Sequence, residues 1–124
     1  MDIIRLHRIA ITDYADIVIG SIVTGVNELR IFIKDGSFVD IWYSLKLSGR
    51  YSFHWERMAI DGTIYRHDNA PHQRWNVVTT FPYHFHDGGE DNVRDSYLDP
   101  APDKALHEFL TFIRNKLNDI SFER

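Results

Sequence analysis

Short runs of β-branched and aromatic residues, cut at close intervals by turn signals, constrain this chain more than any other feature. Residues 17–23 and 28–34 are such runs, with Thr24-Gly25-Val26-Asn27 between them. Asp35-Gly36 follows, a pair suited to a two-residue hairpin loop because both central positions favour positive φ. Residues 38–47, 51–60 and 63–67 are the next runs, separated by Ser48-Gly49 and Asp61-Gly62. Connections this short leave no room for the crossover that a parallel pair needs, so the strands pair with their sequence neighbours in an antiparallel meander. Residues 77–86 can add one or two strands around Pro82, which gives a curved sheet of five to seven strands. After an irregular acidic loop, Asp103 is placed to cap a helix over residues 104–117. Leu106, Phe109, Leu110, Ile113 and Leu117 recur there at helical spacing and form a stripe that packs on the sheet. The expectation is an α+β fold with its C-terminal helix against an antiparallel sheet.

The 124 residues fit one domain, residues 1–124. A chain of this size buries roughly two-thirds of its unfolded surface and needs neither disulfide nor structural metal to be stable. Cysteine is absent, which excludes a thiolate zinc site and a thiol nucleophile. Met1-Asp2-Ile3-Ile4-Arg5-Leu6-His7 lacks the long apolar run of a signal peptide or membrane helix, so a cytoplasmic location without membrane contact is expected. A net charge of −4 argues against coating nucleic acid through bulk positive charge, yet it permits a local basic cleft. The charge is unevenly placed. Residues 50–86 hold Arg50, Arg57, Arg66, Arg74 and five of the seven histidines, more than even spacing would put there. Residues 87–103 carry Asp87, Glu90, Asp91, Asp95, Asp99 and Asp103 against Arg94 alone.

Turn arithmetic suggests where those side chains point. A two-residue loop at Asp61-Gly62 pairs Ile60 with Thr63, Glu56 with His67 and His54 with Asn69. Alternation then puts His54, Glu56, Tyr65, His67 and Asn69 on one face, and Arg57, Arg66 and Asp68 on the other with Phe53 and Trp55. Ser48-Gly49, treated the same way, pairs His54 with Tyr43. One bulge would exchange the two faces. His84 and His86 alternate around Phe85 and project from one side of a strand.

Three uses of such a set are open. The first is acid–base cleavage of RNA by its own 2′-hydroxyl, which needs two proton-transfer groups and a cation for the phosphorane charge. Histidine fits the former and arginine the latter. His54, His72, His84 and His86 are the proton-transfer candidates, with Arg66 or Arg74 for charge, while Tyr65 and Trp75 could stack bases. The second is a His-ligated metalloenzyme, in which His84 and His86 bind a metal together with His54, His67 or Glu56. The third is a non-catalytic module whose His-rich face meets a partner protein. No phosphate-binding loop, nucleophile elbow or Walker pattern is present.

Three stretches taken together resemble the TumE-type toxins, small proteins encoded beside an antitoxin in bacteria and archaea. They are Tyr51-Ser52-Phe53-His54-Trp55, Arg66-His67-Asp68-Asn69-Ala70-Pro71-His72 and Phe81-Pro82-Tyr83-His84-Phe85-His86. The middle string is the most distinctive, although an aromatic residue is usual where this chain has His67. The resemblance covers most of the chain and implies a toxin restrained by a cognate antitoxin and acting on RNA. By matching position it points to His54, Arg66, Asp68, Asn69, His72, His84 and His86. Combined with the residue chemistry, the expectation is an endoribonuclease needing no metal or other cofactor. In it, His54, Arg66, His72, His84 and His86 are catalytic, and Tyr65, Asp68, Asn69, Arg74 and Trp75 contact substrate. Arg66 and Asp68 could instead form a structural ion pair, and Asn69 could serve only as a turn residue. The sheet's edge strands could pair across a dimer axis.

Overall fold

The computed structural model describes residues 1–123. Helix α1 (Ile3–Asp13) precedes strands β1 (Val18–Gly25), β2 (Glu28–Ile33), β3 (Phe38–Tyr43) and β4 (Tyr51–Arg57). One helical turn, α2 (Met58–Asp61), leads to β5 (Thr63–Asp68); then come β6 (His84–Asp87), β7 (Val93–Asp95) and helix α3 (Pro102–Glu123). The strands form one open sheet in sequence order, every neighbouring pair antiparallel. The α+β meander and its C-terminal helix are therefore as the turn signals indicate, with seven strands. Among the described residues, no helix is long and apolar enough to cross a membrane.

Both long helices lie on the same face of the sheet. From α1 come Ile3, Leu6 and Ala10, and from α3 Leu106, Phe109, Leu110, Ile113 and Leu117. They pack on Leu29, Ile31, Ile33, Val39, Ile41, Phe53, Trp55 and Tyr65, which alternate along the strands. Helix α1 was not foreshadowed by the strand signals, but its logic is ordinary. Asp2 accepts a hydrogen bond from the Arg5 backbone N–H at 3.1 Å, and Ile3, Leu6 and Ala10 follow at helical spacing. The later helix begins earlier than expected. Asp103 sits inside its first turn and pairs with Arg5 of α1 rather than capping the helix.

Two turns differ from the two-residue loops expected, with large consequences. Instead of Ile60 facing Thr63, residues 58–61 coil into α2, Gly62 closes it at φ 75°, and Arg57 pairs with Thr63. The register thus moves by three positions. An odd shift exchanges faces, so His54 lies opposite Arg66 rather than Asn69, and Ser52 opposite Asp68. The loop before β4 does the same, setting Tyr43 against Tyr51 rather than His54. The expected face assignment is accordingly corrected. His54, Arg66 and Asp68 share one face, while Tyr65 and His67 join Phe53 and Trp55 against the helices.

Candidate active site

The face away from the helices carries the polar cluster. On β4, β5 and β6, every second residue points there: His54 and Glu56, then Arg66 and Asp68, then His84 and His86. Register sets Arg66 between His54 and His86, and Asp68 beside His84. The residues between them are Phe53, Trp55, Tyr65, His67 and Phe85, which fill the opposite side. The residue following β7, Ser96, accepts or donates a 2.7 Å hydrogen bond at His67 Nδ1. Burial, reinforced by the nearby charge of His84, pushes the His67 pKa down to about 4, so it behaves as a neutral core residue.

Arg66 is the hub. Its Nε donates to Asp68 Oδ2 at 3.1 Å, and its Nη2 donates to both Glu90 oxygens at 2.7 and 2.8 Å. Its Nη1 lies 3.4 Å from His54 Nδ1. A guanidinium can only donate, so Nδ1 is the accepting nitrogen, and His54 Nε2–H donates to Glu56 Oε1 at 3.1 Å. His54 is thus held in one tautomer, half-buried beside a cation that the exposed Glu90 covers.

His84 and His86 are anchored differently. Each donates its Nδ1–H to a backbone carbonyl at 2.8 Å, His84 to Pro82 and His86 to Glu90. This aims both Nε2 atoms at Asp68. His84 Nε2 is 3.1 Å from Oδ1 and His86 Nε2 is 3.8 Å from Oδ2. Neither contact is aligned as a hydrogen bond, and both nitrogens are buried without a partner. The Trp75 ring covers them, its centroid 5.9 Å from that of His84 and 5.0 Å from that of His86. Burial opposes charge on Asp68, but His84, the Ala70 N–H and Arg66 outweigh it and hold the carboxyl at about 2. Burial also works against a charged His84, yet the Asp68 carboxylate and Pro82 carbonyl raise its pKa. For His86 burial prevails, and the pKa falls. Asp68, His84 and His86 together present three ligand atoms within 4.8 Å of one another.

A family model described as Toxin TumE matches residues 2–117. The chain belongs to the TumE toxin family. Membership bears out the resemblance carried by the three motifs, and it implies an antitoxin as partner. No curated protein and no solved structure matches the chain.

Within this TumE fold, the residues singled out from the sequence divide into two groups. His54, Arg66, Asp68, His84 and His86 gather on one face, roofed in part by Trp75. The others lie elsewhere or serve visibly different contacts. Tyr65 is buried against Trp55, Phe85 and Phe112, on the side where no base could stack on it. Asn69 is buried, accepting from the Tyr51 N–H at 2.9 Å and donating to the Gly49 carbonyl at 2.7 Å, which ties down the loop before β4. Arg74 lies over the Trp75 ring and pairs with Asp91 at the surface. His72 is exposed at the start of the short 3₁₀ turn Gln73–Trp75. Glu90 was counted in the sequence only as part of an acidic loop. Its signal was Asp87-Gly88-Gly89-Glu90: as a hairpin tip after His84-Phe85-His86, it returns a carboxylate to the arginine beside His86.

Proposed function

We propose that this toxin is an endoribonuclease in which side chains of the open sheet face cleave RNA through its 2′-hydroxyl. The observation that carries the reading is the pairing of His54 Nδ1 with Arg66 Nη1 at 3.4 Å on an accessible face. As Arg66 turns to the incoming phosphate it frees the His54 Nδ1 lone pair, which takes the 2′-hydroxyl proton as that oxygen attacks phosphorus. Arg66, released from Glu90 by the incoming phosphate, balances the charge that builds on the non-bridging oxygens. The group assigned to give the leaving 5′-oxygen its proton is His72, which lies outside the cluster but is exposed on the segment leading to the roofing Trp75. His84 and His86 are 0% exposed beneath Trp75, so their part in this reading is to hold Asp68 and, through it, Arg66. An antitoxin restrains the activity by covering this face. The edge strand β1, with Ile19 and Ile22 exposed, is where a second copy would add.

Defined RNA oligonucleotides incubated with purified protein in EDTA test this directly. The expected products end in 2′,3′-cyclic phosphate and 5′-hydroxyl. His54→Ala should slow cleavage by roughly 100-fold or more, and Arg66→Lys should slow it while raising KM. Products bearing 3′-hydroxyl ends, or cleavage undiminished in His54→Ala, would remove the proposed mechanism.

A further inference from the structure

We propose that Asp68, His84 and His86 hold a divalent first-row transition-metal ion. This goes beyond the RNA reading and stands whether or not the chain cleaves RNA. Three observations converge on it. Both imidazoles are fixed by Nδ1–H donation to backbone carbonyls, the arrangement that orients a histidine to ligate through Nε2. Both Nε2 atoms are fully buried and face one carboxylate without making an aligned hydrogen bond to it, whereas buried polar atoms are seldom left unpaired. The spacings also suit a cation. Donors about 2.0–2.1 Å from a tetrahedral ion lie about 3.3 Å apart. His84 lies 3.1 Å from one Asp68 oxygen and His86 3.8 Å from the other. One donor atom from each residue lies within 4.8 Å of the other two, a spacing that a small adjustment around an ion would close.

A metal-free explanation accounts for only half the cluster. An imidazolium–carboxylate pair would satisfy His84, but His86 would keep a buried nitrogen 3.8 Å from a carboxylate already shared with Arg66. The surrounding charge tolerates a dication, because Asp68 and Glu90 together exceed the single positive charge of Arg66. Two imidazoles and one carboxylate, with no thiolate, favour zinc, manganese, iron, cobalt or nickel over magnesium or calcium. Three protein donors leave a remaining position to water. The ion would tie β5, β6 and the segment before β6 together under Trp75.

Tag-free full-length protein, stripped with EDTA and freed of chelator, would be titrated with Co²⁺ while visible absorption is followed. Saturation at one equivalent, with displacement by Zn²⁺, is expected. His84→Ala, His86→Ala and Asp68→Asn should each weaken uptake at least ~10-fold, while His72→Ala and His107→Ala leave it unchanged. Should a cluster variant fail to fold by circular dichroism, ¹⁵N spectra of the wild-type imidazoles with Zn²⁺ decide the matter. The His84 and His86 Nε2 resonances should move, and those of His72 and His107 should not. Absence of stoichiometric uptake, or uptake that persists in the cluster variants, overturns the proposal. Metal uptake without RNA cleavage would reject the RNA reading alone; cleavage without uptake would reject the metal alone.

Discussion

A single guanidinium, that of Arg57, joins two hairpin ends. It is 2% exposed, pairs with Asp35 in the turn between β2 and β3 and with Asp61 in α2 at 3.1 Å, and stacks over Trp55. Burial works against charge on both carboxylates, but hydrogen bonds from Ser37 and Arg57 hold Asp35 below its ordinary pKa, and Thr63 and Arg57 do the same for Asp61. A carboxyl depressed by folding adds stability that is present above its unfolded pKa, about 3.9, and is lost as pH falls through the folded value. Chemical denaturation should therefore show stability dropping below about pH 4. Arg57→Met should remove part of that acid sensitivity, leaving the share that Asp68 carries, and cost about 2 kcal/mol at neutral pH. That is less than a fully buried pair would cost, because both aspartates keep contact with water. An unchanged acid profile in the variant would assign the sensitivity to other carboxylates.

At the scale of elements, what matters is how strands are joined. The order of the first five strands and of β6 was readable because each run of β-branched residues ends at a turn signal. By contrast, β7 lies in the stretch read as an irregular acidic loop, and residues 77–83 form turns rather than a strand. Which face each side chain occupies was not. Met58, Ala59 and Ile60 look like the end of a strand, yet they close a helical turn whose stop is set by Gly62. Periodicity alone cannot separate those outcomes over three residues, and the odd register shift that follows turns His54 toward Arg66. Trp75 and Asn69 were noticed as candidates, but their burial depends on long-range packing that no local pattern encodes. The hairpin joining β6 and β7 carries the element-scale prediction. Its Glu90 is half exposed and grips Arg66, the geometry of a displaceable surface pair. Glu90→Gln should tighten binding of labelled RNA roughly 3- to 10-fold at low salt, measured by fluorescence anisotropy, with the gain shrinking as salt rises. Unaltered affinity would mean that Arg66 is not where phosphate binds.

For the molecule as a whole, one apolar cluster joins α1 and α3 to the sheet face they share. Phe109 lies at its middle, edge-on to Phe53 and His67 and stacked with Phe112. We propose that the chain unfolds as one unit, and differential scanning calorimetry should then record a single transition. Phe109→Ala should lower the temperature of that transition while keeping it single, with a stability loss of about 3–5 kcal/mol. Two resolved transitions would instead divide the chain.

Alternation along β4, β5 and β6 has a consequence for how a host cell would survive such a toxin. His54 lies between Phe53 and Trp55, Arg66 between Tyr65 and His67, and Phe85 between His84 and His86. Losing or gaining one codon inside any of these strands would drive a guanidinium or carboxylate inward and leave an aromatic ring in water. Escape mutants of that kind should accumulate no protein at all. Missense changes on the polar side should instead leave a folded, harmless chain whose hold on its antidote is weakened, because that is the face the antidote is proposed to cover.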